Sequence, residues 1–215
     1  MRAWSSSKRA GSPRSLREVA RAAGVSHQAP YHHFRDREAV LAAIAEQGFQ
    51  LLRAALTEAL AHERKESCPA LRLASAGRAY VDFACAHPAH FRVMFRPDLV
   101  DLTRYPAARS AGDAAFSCMA ELVREARDAG LSAVPSEQAL IALCWSVGHG
   151  LACLLLDGPL ARHGAESERA AQARDVMAAF ASLVRASLPA AATALRGAPD
   201  EGVRCTARAT RARAK

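Results

Sequence analysis

The sequence predicts an all-α fold, and three observations carry that expectation. Alanine and leucine dominate a chain poor in aromatic residues (6%), a composition that favours helices over sheets. Apolar residues recur at three- and four-residue spacing along most of the length, the period of one helical face. No stretch alternates apolar and polar residues as a half-buried strand would. With 215 residues, 51% hydrophobic and 23% charged, the chain is long and apolar enough to bury a sizeable core.

The elements follow in order. Residues 1–14 are a basic, Ser/Arg-rich head without period. Leu16, Val19, Ala20 and Ala23 share one helical face, and Ser15 with Glu18 forms a capping box at its start. Gly24 stands where a left-handed residue stops that helix. Ser26 can cap a second, short helix from His27 to about Phe34, with Pro30 in or near its first turn. Asp36 is placed to cap a third, long helix reaching about His62, with Val40, Leu41, Ile44, Leu51, Leu52, Ala55, Leu56 and Leu60 as its apolar stripe. Further helices are expected over about Ala70–Ala86, Pro88–Phe95, Gly112–Ala129, Pro135–Leu156 and Glu166–Leu188. Arg96 to Pro106, with two prolines, reads as a loop, and Gly130 as a helix stop.

Charge is uneven. Residues 1–40 carry eight Lys/Arg against three Asp/Glu, and residues 196–215 carry six against two. The middle is nearly neutral. Basic ends suit a polyanion partner, or in the tail serve solubility alone. The six cysteines show no Cys-x-x-Cys spacing and lie mostly in Ala/Leu-rich stretches. No secretory signal opens the chain. A reducing cytoplasm is expected, with no disulfide, metal or cofactor. Ala139 to Leu156 holds no charged residue and reaches the lower limit for a membrane span. Ser146, Gly148, His149 and Gly150 near its middle favour a helix buried inside protein, so no membrane partner is expected.

The stretch Gly24–Phe34, GVSHQAPYHHF, carries the functional signal. A helix, a tight Gly-Val-Ser turn and a second short helix make a helix-turn-helix, whose second helix can enter a major groove. Its exposed first turn offers His27 and Gln28 to base edges. Tyr31, His32 and His33 then lie near the DNA backbone, inside a ring of positive charge from Arg14, Arg17, Arg21, Arg35 and Arg37. The geometry leaves two alternatives open, a helical hairpin with surface arginines and a packing role for His33. His32 and His33 have no third ligand beside them for a metal.

Ser15 to Ile44, SLREVARAAGVSHQAPYHHFRDREAVLAAI, resembles the DNA-binding segment of the TetR (tetracycline-repressor-like) family of transcriptional regulators. The resemblance implies that His27, Gln28 and Ala29 read bases, that Tyr31 touches phosphate or base, that Arg37 binds phosphate at a helix N-terminus, and that Arg17 also meets DNA. His32 joins this DNA-facing set. Trp145-x-x-x-His149-Gly150 in its apolar helix, with Ala79 to Phe95 upstream, resembles the WHG type of C-terminal domain in the same family. That implies a homodimer through helices at about 135–156 and 166–188, with the small residues Ala142, Ser146 and Gly150 allowing close approach. It also implies a small-molecule effector site. Candidates are Phe83, His87, Phe91, Met94, Phe95, Phe116, Met119, Trp145 and His149, with Trp145 and His149 leading because each carries a polar handle.

The expected organisation is therefore a head at 1–14, a helix-turn-helix DNA-binding domain with linking helix at 15–62, a ligand-binding and dimerisation domain at 67–190, and a disordered basic tail at 191–215. The family carries a further helix ahead of the unit seen here. Only MRAWSSSKRAGSPR precedes Ser15, and it has no apolar stripe. The expected function is a ligand-responsive regulator, a repressor by the family's usual sign, on a palindromic double-stranded DNA operator. The rival is a helical small-molecule-binding or interaction protein that has lost DNA binding. An enzyme is not expected, because no nucleophile, base and carboxylate stand at recognisable spacing.

Overall fold

The computed structural model describes residues 34–62, 68–131, 136–162 and 166–188. Six α-helices order these residues: α1 Arg37–His62, α2 Pro69–Ala86, α3 Pro88–Met94, α4 Pro106–Asp128, α5 Glu137–Leu156 and α6 Glu166–Ala186. Two short 3₁₀ turns, Leu102–Arg104 and Pro159–Arg162, lie in the connections. No strand occurs among the described residues. The helix-turn-helix stretch before Phe34, with Arg17, His27, Gln28, Ala29, Tyr31 and His32, and the basic head and tail lie outside them.

Local chemistry sets the helix ends. Asp36 caps α1, its Oδ1 accepting from the Ala39 amide at 2.8 Å. Ser136 caps α5 in the same way, through its hydroxyl and the Ala139 amide at 3.1 Å. Proline opens α2, α3 and α4 in the first turn, where its missing N–H costs no helical bond. The sequence reading placed Pro106 in a loop and began α4 at Gly112. The structure begins α4 at Pro106, so the connection after α3 is shorter than expected. Gly130, at φ 96°, closes α4 in the left-handed region that glycine enters without strain.

The core is built around α2, which packs on α1, α4, α5 and α6. Leu73, Ala76, Val81 and Ala84 are almost wholly buried there. The buried side of α1 is narrower than its apolar stripe suggested. It runs through Ala42, Ala45, Gly48, Phe49, Leu52 and Leu56, while Val40, Leu41 and Ile44 are only half-buried. Small residues let α1 approach α3 closely: a Cβ at Gly48 would stand 2.5 Å from Met94 Sδ. Both α1 and α5 are long and apolar enough to cross a membrane. Each buries one face on its neighbours in this bundle.

One side of the bundle remains apolar and uncovered. On α5, Leu143 and Leu154 are exposed, and so are the small residues Ala142 and Ser146. A Cβ built at Gly150 meets nothing within 4 Å. On α6, Val176 is exposed and Leu183 is 71% exposed. Leu140 and Leu151 on the same helix are buried by contrast, so α5 turns one apolar side into the core and leaves another uncovered.

Candidate functional site

A cavity of about 290 Å³ opens inside the bundle. Helix α1 contributes Phe49 and Leu52, and α2 contributes Gly77 and Tyr80. Met94 and Phe95 close one end, and Leu102 from the 3₁₀ turn closes another. The long α4 supplies Gly112, Ala115, Phe116 and Met119, and α5 supplies Cys144, Trp145 and Gly148. Five helices thus meet at one apolar space, because each presents an apolar residue or a glycine where it crosses its neighbours. Among the described residues only Arg109 and Asp113 bring charge to it, as a pair 3.9 Å apart on successive turns of α4. Both are mostly exposed, so the pair marks the rim.

Rings hold the walls. Phe95 sits edge-on to Phe49 at 5.7 Å between centroids and contacts Trp145 at 5.8 Å. Trp145 in turn meets Phe116 edge-on at 6.0 Å. Such pairs fix ring orientation and add up to about 1 kcal/mol each beyond their burial. Phe116 and Trp145 are nonetheless 45% and 40% exposed, which makes them the open side of the cavity.

One polar pair is built into this apolar setting. The Tyr80 hydroxyl lies 2.8 Å from Nδ1 of His149. Burial pushes the Tyr80 phenol well above its ordinary value, with the Trp145 indole opposing the rise, so the phenol keeps its proton. Burial pulls His149 below the usual imidazole value, so the ring is held neutral. With both groups neutral, the Tyr80 hydroxyl donates to Nδ1 when the ring proton sits on Nε2, and accepts from Nδ1 in the other tautomer. The thiol of Cys144 is likewise pushed up, to about 11, by burial, and remains a neutral apolar lining. The lining suits an uncharged, largely apolar molecule. No group of His, Cys, Asp and Glu that could hold a metal occurs among the described residues.

Of the residues proposed from sequence, Met94, Phe95, Phe116, Met119 and Trp145 line the cavity. Phe83, His87, Phe91 and His149 do not. Phe83 follows Gly77 by six residues, which turns it about 120° away from the cavity face of α2. It is buried and stacks on His87 instead, at 5.4 Å. Phe91 stands behind the lining, its ring against Tyr80 at 6.0 Å and His149 at 5.1 Å. His149 acts on the wall through Tyr80 and the ring of Phe95, 5.0 Å away. The sequence reading missed Phe49, Leu52, Tyr80 and Cys144. Their helices were recognised, but which face crosses a neighbour is not written in the period of one helix. Arg109 escaped notice because it falls between the loop expected to end at Pro106 and the helix expected from Gly112.

At the DNA-proximal end only Arg37 of the expected contacts is described. It is exposed and is the first residue of α1, where its charge adds to that of the helix N-terminus.

Comparison with known proteins places both parts of the chain. Residues 12–44 match the bacterial regulatory proteins of the tetR family. Residues 73–180 match the tetracyclin repressor-like C-terminal domain. Among solved structures, a protein of unknown function from Rhodococcus sp. RHA1 is similar, at 32% identity over 81% of this chain and 84% of that one, with a TM-score of 0.62. No curated protein matches the chain.

Proposed function

The chain belongs to the tetR family of bacterial regulatory proteins and is a ligand-responsive, DNA-binding regulator of transcription; from that premise we propose that it is a homodimeric repressor, released from a palindromic operator when an uncharged apolar molecule fills the cavity. It acts in the cytoplasm, beside the DNA it reads. His27 and Gln28 meet base edges, with Ala29 against the groove. Arg17, Tyr31, His32 and Arg37 hold the DNA backbone. Phe95, Phe116, Met119 and Trp145 contact the ligand directly.

One observation carries this reading. Helix α1 begins three residues after Phe34, the end of the expected recognition stretch, and the same helix walls the cavity through Phe49 and Leu52. A molecule entering the cavity cannot avoid the helix that leads to the DNA-reading unit. The uncovered side chains Leu143 and Leu154 on α5 and Val176 and Leu183 on α6, with open space at Gly150, support pairing through these two helices. Two recognition helices held by one dimer then read two half-sites, and a change in their spacing loses both together.

The test starts from a thermal-shift screen of uncharged apolar compounds on the whole protein. A cavity ligand raises the melting temperature of the unmodified chain but not of Gly112→Leu, whose side chain grows into the cavity against Phe49. The same compound should weaken binding to the promoter beside the protein's own gene. A compound that passes the first step and leaves DNA affinity unchanged removes the effector role from this cavity.

A further inference from the structure

The connection between α3 and α4 touches both the cavity and the start of α1. Its 3₁₀ turn is rigid. Asp101 accepts from the Thr103 amide at 3.0 Å and from the Thr103 hydroxyl at 2.6 Å, and the Arg104 and Tyr105 amides bond back to the carbonyls of Asp101 and Leu102. On its inner side Leu102 lines the cavity. Its outer side grips α1. Glu38, in the first turn of α1, accepts from Arg104 Nη1 at 2.7 Å and from the Asp101 amide at 3.2 Å. Arg35, one residue after Phe34, donates to the Tyr105 hydroxyl at 3.4 Å and lies over its ring, 5.7 Å from the centroid. Pro106 then starts α4, whose next turns form the cavity rim at Arg109 and its wall at Gly112.

We propose that the turn Asp101–Tyr105 relays the filling of the cavity to the first turn of α1, with Glu38 and Arg35 as the positioning residues that receive it. This rests on the cavity being the effector site. Geometry favours the turn over a push along α1 itself. Phe49 lies twelve residues from Arg37, about 18 Å along the helix, so pressure there tilts the helix as a body. The turn instead grips the end of α1 next to the DNA-reading stretch. Leu102 and its flanking residues form a rigid unit, so displacement of Leu102 moves Asp101, Arg104 and Tyr105 with it. Each tie is partly exposed, and alone it would be weak; four contacts converging on Arg35 and Glu38 act together.

The test compares the cavity filler Gly112→Leu in two backgrounds, the natural one and the untied variant Glu38→Ala/Tyr105→Leu, which removes all four contacts. Hydrogen exchange is read at the Ala39 amide, which bonds to Asp36 at the α1 cap, and at the Arg104 amide, which bonds to the Asp101 carbonyl inside the turn. In the natural background the filler should speed exchange at both by about threefold or more. In the untied background it should still act on Arg104 and leave Ala39 unchanged from its untied parent. Equal acceleration of Ala39 in both backgrounds overturns the relay, as does no acceleration in the natural one. Cys144→Met, which fills the same cavity from α5, is run beside Gly112→Leu so that one misfolded filler does not decide the result. A titration against promoter DNA separates the two claims. Loss of DNA binding in the unmodified chain removes the effector reading, while the exchange cycle still decides whether the turn moves α1.

Discussion

Replacing Gly150 by leucine should move two measurements in opposite directions. Within one chain the change is free of clash, since a Cβ at Gly150 has no neighbour within 4 Å. The residue lies inside α5, where glycine is about 0.8 kcal/mol worse than alanine and leucine is close to alanine. The folded monomer should therefore gain about 0.5–1 kcal/mol. In the proposed dimer the same side chain enters the space between Ala142, Ser146 and the partner's helix. Overpacking there costs about 1–3 kcal/mol. Converted to affinity, that weakens the dimer by roughly 5- to 150-fold. Sedimentation over a concentration series gives the dimer constant, and urea unfolding at a concentration where both proteins are monomeric gives the stability. A Gly150→Leu protein that dimerises as well as its parent shows that this face is not the interface. One that is destabilised as a monomer shows that the face is already covered within the chain.

Three further expectations follow from the site. With Trp4→Phe leaving Trp145 as the only indole, emission should change as an apolar ligand enters, and Phe116→Ala should weaken that ligand by about 1–2 kcal/mol through lost contact area; an unchanged spectrum on confirmed binding would put the ligand elsewhere. His149 is held below its ordinary value of 6.5, so it binds fewer protons folded than unfolded. Its contribution is complete above 6.5 and is lost as pH falls through the lowered folded value; melting temperature should therefore drop from pH 7.5 to pH 5 by more in the natural chain than in His149→Gln, and parallel curves would contradict the half-buried neutral imidazole. Gln28→Ala should cost about 1–3 kcal/mol on the operator and little on random DNA, whereas Arg37→Ala should weaken both and reduce the salt slope by about one; the reverse pattern would exchange their roles.

Features that depend on neighbours in sequence were legible, and those that depend on neighbours in space were not. Asp36 and His62 bound α1 as expected, because a cap and a loss of period are local signals. Gly130 ends α4 for the same reason. Pro106 misled the reading, since proline is both a loop former and a good first residue of a helix. The cavity was half visible. Trp145, Phe116, Met119, Met94 and Phe95 stood out as large or soft side chains on helices already assigned. Tyr80 and Phe49 were not singled out, because only the crossing of α1 and α2 with α4 turns them toward a common space. The grip of Glu38 on Arg104 joins residues 66 positions apart, and nothing in either local pattern announces it.

Fluorescence anisotropy on a labelled fragment from the promoter beside the protein's own gene, with and without a cavity ligand found by thermal shift, puts the whole account at risk in one titration. The unmodified chain should prefer that fragment to scrambled DNA by about 10³-fold or more and saturate it at two chains per site. Added ligand should lower the specific affinity by at least about tenfold and leave the weak binding to scrambled DNA nearly unchanged. Equal affinity for both fragments, or a specific complex indifferent to a ligand that demonstrably fills the cavity, would contradict it.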